Sequence, residues 1–291
     1  MNTLIIGCGD TGVRVAARAV AAGEIVTGVV RSEQSAQRVR AVGAHALRLD
    51  LDADTLVLPA CDRLFYFAPP PREGVVDSRM AGVLATLSDV SAHAVYISTS
   101  GVYGDCAGDW VDEDRRVNPE SERARRRVDA ERQVLAFCAH ATVLRAPGIY
   151  GPNRLPVQRV LDRTPILDDA DGGWSNRIHI DDLASLAWLA GTRGMPGCVY
   201  NASDGHPTRL GVYYDALAAM LGVEPPPRIS WAQAEQRFSA MRLSFLRESR
   251  RLSNRRLLAD SGHVFSFADF RDGLAACLRA EPLPEYTSRH K

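Results

Sequence analysis

A short apolar run, Thr3-Leu4-Ile5-Ile6, leads straight into Gly7-Cys8-Gly9-Asp10-Thr11-Gly12 and then into the segment VRVAARAVAAG. Strand, glycine turn and helix start, in that order, form the context that gives a GxGxxG spacing its physical meaning. Gly7 permits the tight turn, Gly9 lets backbone approach a pyrophosphate, and Gly12 lets the helix pack closely on the strand. The amides and positive dipole end of that helix then suit phosphate. The segment therefore predicts a dinucleotide site that includes Gly7, Gly9, Asp10, Thr11 and Gly12. A glycine-rich connection without a ligand is the competing reading of these residues taken alone. Cys8 reads as a small residue filling the turn, with an oxidation-sensitive thiol as the alternative.

Strand-like runs at 24–30, 45–51, 63–68, 93–98 and 141–146 alternate with helix-length segments, one of them near 121–139. That rhythm predicts an α/β fold: a Rossmann-type doubly wound parallel sheet with ligands at the carboxyl ends of its strands. After Tyr150-Gly151-Pro152 the rhythm changes. A polar, irregular stretch at 153–175 precedes a strand or turn at NRIHI, a helix from Asp181, and a further core strand in GCVYNAS (197–203). The remainder is mostly helical. The expected division is a dinucleotide-binding core at 1–152, to which 176–204 returns. Segments 153–175 and 205–291 would build a smaller carboxyl-terminal substrate lobe.

Composition narrows the partners. Lys+Arg and Asp+Glu each number 35, which argues against a general attraction to nucleic acid or an anionic membrane. No stretch is long and apolar enough to span a bilayer, and the first strand starts too early for a signal peptide to precede it. The six cysteines show neither a CxxC pair nor metal-ligand spacing, as in a reducing compartment. The chain reads as soluble and cytoplasmic, with no metal. Its only lysine is Lys291, so no interior amine is available for a Schiff base or a proton relay.

Arg31 and Ser32 follow the second strand, where an acidic residue would receive the adenosine ribose. An arginine there can pair with a 2′-phosphate, which favours NADP, with NAD possible. A solvated arginine at a strand end is the alternative. Asp50 and Leu51, ending the third strand, are placed to meet the adenine, although aspartate also forms ordinary turns.

Four further segments occur in order: Ser98-Thr99-Ser100-Gly101-Val102-Tyr103-Gly104, LRAPGIYGP (144–152), RIHIDDLA (177–184) and VYNASDG (199–205). Together they resemble the extended short-chain dehydrogenase/reductase superfamily, of the nucleotide-sugar epimerase and dehydratase type. The resemblance implies a Rossmann fold, a nicotinamide cofactor and a carboxyl-terminal substrate lobe. It places Thr99 at the active-site hydroxyl that bonds the reacting oxygen. It places Ala68 and Pro69 on a loop passing the cofactor, and Pro147, Gly148 and Ile149 beside the nicotinamide. The tyrosine and lysine of the superfamily's YxxxK pair fall on Arg123 and Arg127. Arg127 can still hold the nicotinamide ribose, but a guanidinium at 123 is too weak an acid to replace the tyrosine. Two arginines one turn apart either share an anion or belong to a solvated basic helix. This departure resembles an atypical branch, the YeeZ-like bacterial proteins.

Tyr103, ahead of Tyr150 and His179, is then a candidate to carry the proton the missing tyrosine would have carried. Tyr150, Arg154, Arg177 and His179 are expected on the substrate side, the arginines holding an anion. Arg247, Arg250, Arg251, Arg255 and Arg256 either gather around a phosphate or are solvated. The expected function is an NADP-dependent oxidoreductase or epimerase/dehydratase-like enzyme acting on a small polar or sugar-nucleotide-like substrate, in a possible homodimer. A redox-silent NADP(H)-binding sensor is the alternative, and a relic cleft without cofactor is a third.

Overall fold

The structure, a computed structural model, describes residues 1–53, 55–87, 93–193, 195 and 198–280. Residue 197, at the head of the GCVYNAS run, and Lys291 lie outside them. Apolar side chains at consecutive strand positions point to opposite sheet faces, so a strand buried on both faces is apolar throughout. The strands β1 (Asn2–Ile6), β2 (Ile25–Val30), β3 (His45–Arg48), β4 (Arg63–Tyr66) and β5 (His93–Thr99) join Ala141–Ala146 and Val199–Asn201 in one seven-stranded sheet. Every ladder in it is parallel. The order runs Val199–Asn201, Ala141–Ala146, β5, β4, β1, β2, β3.

Ile5, Phe65, Val95 and Leu144 fill one face with α1 (Asp10–Ala21), α2 (Glu33–Ala41) and the helix Ile180–Thr192. Leu4, Ile6, Leu64, Tyr66, Tyr96 and Val143 fill the other with α3 (Ser78–Thr86) and α4 (Glu122–Phe137). The chain leaves β1 toward β2 and β3, then returns to β1's other side as β4, so the winding direction reverses at β1. Ligand clefts open at that reversal, beyond the strand carboxyl ends. Gly7, Thr99 and Pro147 all stand at that edge.

The 45–51 run makes sheet ladder only to Arg48, which leaves Asp50 and Leu51 beyond the strand end. A third apolar cluster joins Val160, Ile166, Tyr213, Leu217, Phe270 and Leu274 with Tyr150. Short parallel ladders tie distant segments together: Arg177–His179 with Gly148–Tyr150, and Trp110–Val111 with Arg251–Leu252. No described helix is long and apolar enough to cross a membrane.

The helix Ile180–Thr192 lies unusually close to the sheet at its end. A Cβ on Gly191 would stand 2.6 Å from Phe65 Cζ, inside a ring that is fully buried. Gly191→Ala should therefore overpack the core and cost about 1–3 kcal/mol. A drop in the denaturant midpoint with an unchanged slope would register it.

Candidate cofactor cleft and substrate cavity

The glycine loop owes its shape to three separate contacts. Gly7 has φ +75°, and a Cβ there would sit 2.5 Å from the Ala68 amide, so only glycine fits. Gly12 faces Cys8 Sγ and Ile5 Cγ2, each 3.3 Å from an added Cβ, where α1 meets β1. At Gly9 a Cβ would meet nothing nearer than Gly7 O at 3.9 Å, so the loop there faces open space. Gly7 N and Cys8 N both donate to Val29 O, at 3.1 and 2.9 Å, which fixes the loop to β2. The Cys8 side chain is fully buried, and burial pushes its thiol up to about 12. It is turn filling, not a reactive thiol.

Two cavities flank this loop. One, of about 230 Å³, is lined by Gly7, Arg31, Asp50, Leu51, Ala68, Pro69 and Arg79. Arg79, which the sequence did not single out, grips Asp52 through two bonds of 2.6 and 2.5 Å. Ser32 turns away from ligand duty: its hydroxyl caps α2 by accepting from Ser35 N. The other cavity, of about 300 Å³, is lined by Gly9, Asp10, Thr11, Gly12, Thr99, Arg127, Pro147, Ile149 and Arg154 among others. Arg154 is thus at the glycine loop and not at the substrate position expected of it. It bonds Asp10 Oδ2 at 2.8 Å, while Arg38 of α2 bonds Asp10 Oδ1 at 2.5 Å. Those two partners hold the Asp10 carboxyl below its usual range against the opposing effect of burial.

Thr99 and Pro147 also line a third cavity, of about 360 Å³, so the cleft is continuous from one to the other. Gly148, Leu167, Trp174, Leu210, Phe245 and Leu246 give this cavity its apolar wall, with Arg123, Asp169, Glu248 and Arg250 as its charges. Arg123 lies over the Phe245 ring at 3.9 Å, and burial lowers its pKa while Glu248 opposes the drop. Arg127, one helical turn on, donates to Tyr96 Oη at 3.0 Å and to Ile97 O at 3.1 Å. The two arginines therefore face different compartments, with no common anion required.

The groups proposed to replace the absent tyrosine do not reach the cleft. Tyr103 Oη donates to Asn201 Oδ1 at 2.8 Å and accepts from Arg145 at 2.9 Å. Its ring is buried, and burial pushes the phenol up to about 12. A phenol so held belongs to the framework, which corrects its expected role in proton transfer. Tyr150 is buried against the third apolar cluster, with its phenol raised by burial. His179 caps the helix Ile180–Thr192 by accepting from Asp181 N, packs on Phe267 at 4.0 Å, and is held neutral by burial. Arg177, expected to hold substrate, is buried over the Tyr213 ring at 4.3 Å and bonds Thr208. None of these four lines the three cavities. The carboxyl-terminal arginines also disperse. Arg247 pairs with Glu235, Arg251 lies between Trp110 and Trp174, Arg256 pairs with Asp114, and only Arg250 reaches the cleft.

No family model matches the chain. It is 29% identical over 236 residues to Protein YeeZ of Escherichia coli (strain K12), covering 76% of this chain and 84% of that one. It is 28% identical over 248 residues to the 4-hydroxy-2-methyl-3-oxo-4-farnesyl-3,4-dihydroquinoline-1-oxide ketoreductase of Stigmatella aurantiaca, covering 77% of this chain and 74% of the other. A solved structure from Methylobacillus flagellatus, assigned provisionally to the NAD-dependent epimerase/dehydratases, superposes with a TM-score of 0.73 at 28% identity. It covers 96% of this chain and 98% of its own. These likenesses are consistent with an atypical extended short-chain dehydrogenase/reductase similar to YeeZ. For such a chain the glycine loop, the Thr99 strand end and the Pro147 turn fall where the fold brings its ligands. Arg123 lines the 360 Å³ cavity and Arg127 the loop-side cavity.

Beside Arg177 the chain buries Asp204, whose Oδ2 has no hydrogen-bond partner. Burial pushes its carboxyl up to about 7, with the His206 amide and Arg177 opposing. Because the folded pKa exceeds the unfolded one, the associated stability is fully present below about pH 4 and drains as pH rises through 7. Asp204→Asn should flatten the fall of Tm between pH 4 and 8 that the unaltered protein shows in calorimetry.

Proposed function

We propose that the chain is an NADP(H)-dependent oxidoreductase of the epimerase/dehydratase type that interconverts an alcohol and a carbonyl on a compact substrate. The observation that carries this reading is that Thr99 and Pro147 line both the loop-side cavity and the 360 Å³ cavity. A dinucleotide lying along the glycine loop would end where a second molecule can enter. When bound, the nicotinamide would supply or accept the hydride. The chain's part is to bind and orient: the α1 amides and Arg154 for the diphosphate, Arg127 for the nicotinamide ribose, Asp50 and Leu51 for the adenine. The open space at Gly9 gives the room a diphosphate needs. Arg31, exposed on the 230 Å³ cavity, would hold the 2′-phosphate of NADP, and Arg38 of α2 stands nearby on Asp10.

The cavity wall argues against a nucleotide-linked substrate. Its charges are two arginines, one aspartate and one glutamate, which leaves no surplus cation for a second diphosphate. Its other lining is largely aliphatic and aromatic, which suits a ring-bearing ketone or its alcohol. The related Stigmatella protein is named for a ketone of that kind. Segments 153–175 and 205–291 supply most of this wall, and the same reading makes them the substrate lobe.

A redox-silent NADP(H) sensor is the second reading, favoured by the burial of Tyr103, Tyr150 and His179. Tryptophan-to-nicotinamide energy transfer with NADPH, and with NADH as control, tests the binding common to both. NADPH consumption across aryl and cyclic ketones then separates them. Arg31→Ala should weaken NADPH about tenfold, near 1.4 kcal/mol, and leave NADH unchanged. A protein that binds neither dinucleotide would end both readings.

A further inference from the structure

We propose that Glu248 carries the proton that the absent YxxxK tyrosine would carry, a role resting on the oxidoreductase reading above. Glu248 follows the helix Ala240–Arg247, and its side chain is only 10% exposed, yet it lines the cavity that Thr99 enters. Gly101 measures how near the two groups come. A Cβ built there would lie 3.5 Å from Thr99 Oγ1 and 3.8 Å from Glu248 Oε2. The two oxygens are therefore no more than about 7 Å apart, the sum of those two distances, a gap that a substrate oxygen, alone or with one water, can bridge.

Arg250 Nη2 donates to Glu248 Oε2 at 2.7 Å and is itself steadied by donating to Gly104 O. Arg123 faces it from α4, and Asp169 lies in the same cavity wall. Two cations and one further anion thus surround this side chain, and a carboxylate so placed can accept the proton of a bound alcohol. For alcohol oxidation the carbinol C–H bond breaks and its hydride goes to the oxidised nicotinamide dinucleotide. The O–H bond breaks and its proton goes to Glu248, leaving a carbonyl and a carboxylic acid that returns the proton to water. Reduction needs the carboxylic acid form.

The sign of the pH dependence follows. NADPH-dependent ketone reduction should climb as pH falls, and alcohol oxidation should rise to a plateau as Glu248 ionises. A tyrosine would instead place the change near pH 10. Glu248→Gln keeps the size and a bond to Arg250 but cannot exchange the proton. It should lose about 10²–10⁴-fold in kcat for oxidation and lose the acid limb of the pH profile. NADPH binding by energy transfer should stay within about twofold, because the group acts on substrate and not on the dinucleotide. Glu248→Asp should restore the acid limb with a lower kcat, which also covers a Gln variant that fails to fold. A Gln variant with near-normal kcat or a persisting acid limb would overturn the assignment alone. Wild-type protein that binds NADPH but turns over no ketone or alcohol would overturn it together with the enzyme reading.

Discussion

A buried ion pair holds the cleft in shape. Arg145, on the strand Ala141–Ala146, bonds Glu131 of α4 at 2.7 Å, and both side chains are under a tenth exposed. Two charges removed from water cost several kcal/mol each unless their remaining bonds are met. Here Glu131 also accepts from Ser98, and Arg145 donates to Tyr103, whose hydroxyl continues to Asn201. Burial would lower the Arg145 pKa, but its bonds to Glu131 raise it instead, so the guanidinium stays charged. The network joins α4, the end of β5, the strand Ala141–Ala146 and the edge strand Val199–Asn201. Removing one partner would leave an uncompensated charge at a cost of about 3–5 kcal/mol. It also sets where Arg123 and Arg127 point, because both stand on the helix that Glu131 pins.

The same network explains what the sequence concealed. The glycine loop was legible because its turn and helix start are written within six residues, although the contacts with Ala68 and Val29 that fix it come from elsewhere in the sheet. The parallel sheet was legible because strands buried on both faces carry unbroken apolar runs. Tyr103 was not, since its partners stand at 145 and 201, and only the folded sheet brings them together. Arg177 and His179 look like ligand groups by residue type, yet the ladder between Arg177–His179 and Gly148–Tyr150 draws them inward, where Tyr213 and Phe267 cover them. Glu248 gave the opposite error. Among five arginines it reads as ordinary compensating charge, and nothing in its neighbours signals that the segment returns to the Thr99 strand end.

Replacing the tyrosine by Arg123 changes more than proton transfer. A phenol at that turn of α4 would present a hydroxyl to the cleft, whereas Arg123 spends its guanidinium plane on Phe245. Phe245 belongs to the helix Ala240–Arg247, none of whose residues is buried. Contacts of this kind are worth about 0.5–1 kcal/mol at exposed sites, and this one adds to the packing of Leu243 and Leu246 and the Arg242 bond to Pro165 O that also hold the helix. On the proposed reading, a position that would perform chemistry serves as a packing contact instead, and the proton would have to move through another group of the same wall.

The charge distribution along the cleft gives that wall its distinct task. At the dinucleotide end Arg31, Arg38, Arg79, Arg127 and Arg154 outnumber Asp10, Asp50 and Asp52, and a diphosphate with a 2′-phosphate would balance the excess. At the substrate end Arg123 and Arg250 are matched by Glu248 and Asp169. An excess of cations at one end only would set the direction in which a dinucleotide lies. Its nicotinamide end would then point toward Thr99. A charge-balanced pocket beyond that point would favour substrates that carry no phosphate, because a second anion would find no surplus of cations to receive it. Selectivity in this fold thus needs no recognition of a nucleotide on the substrate, only a cleft whose two halves differ in net charge.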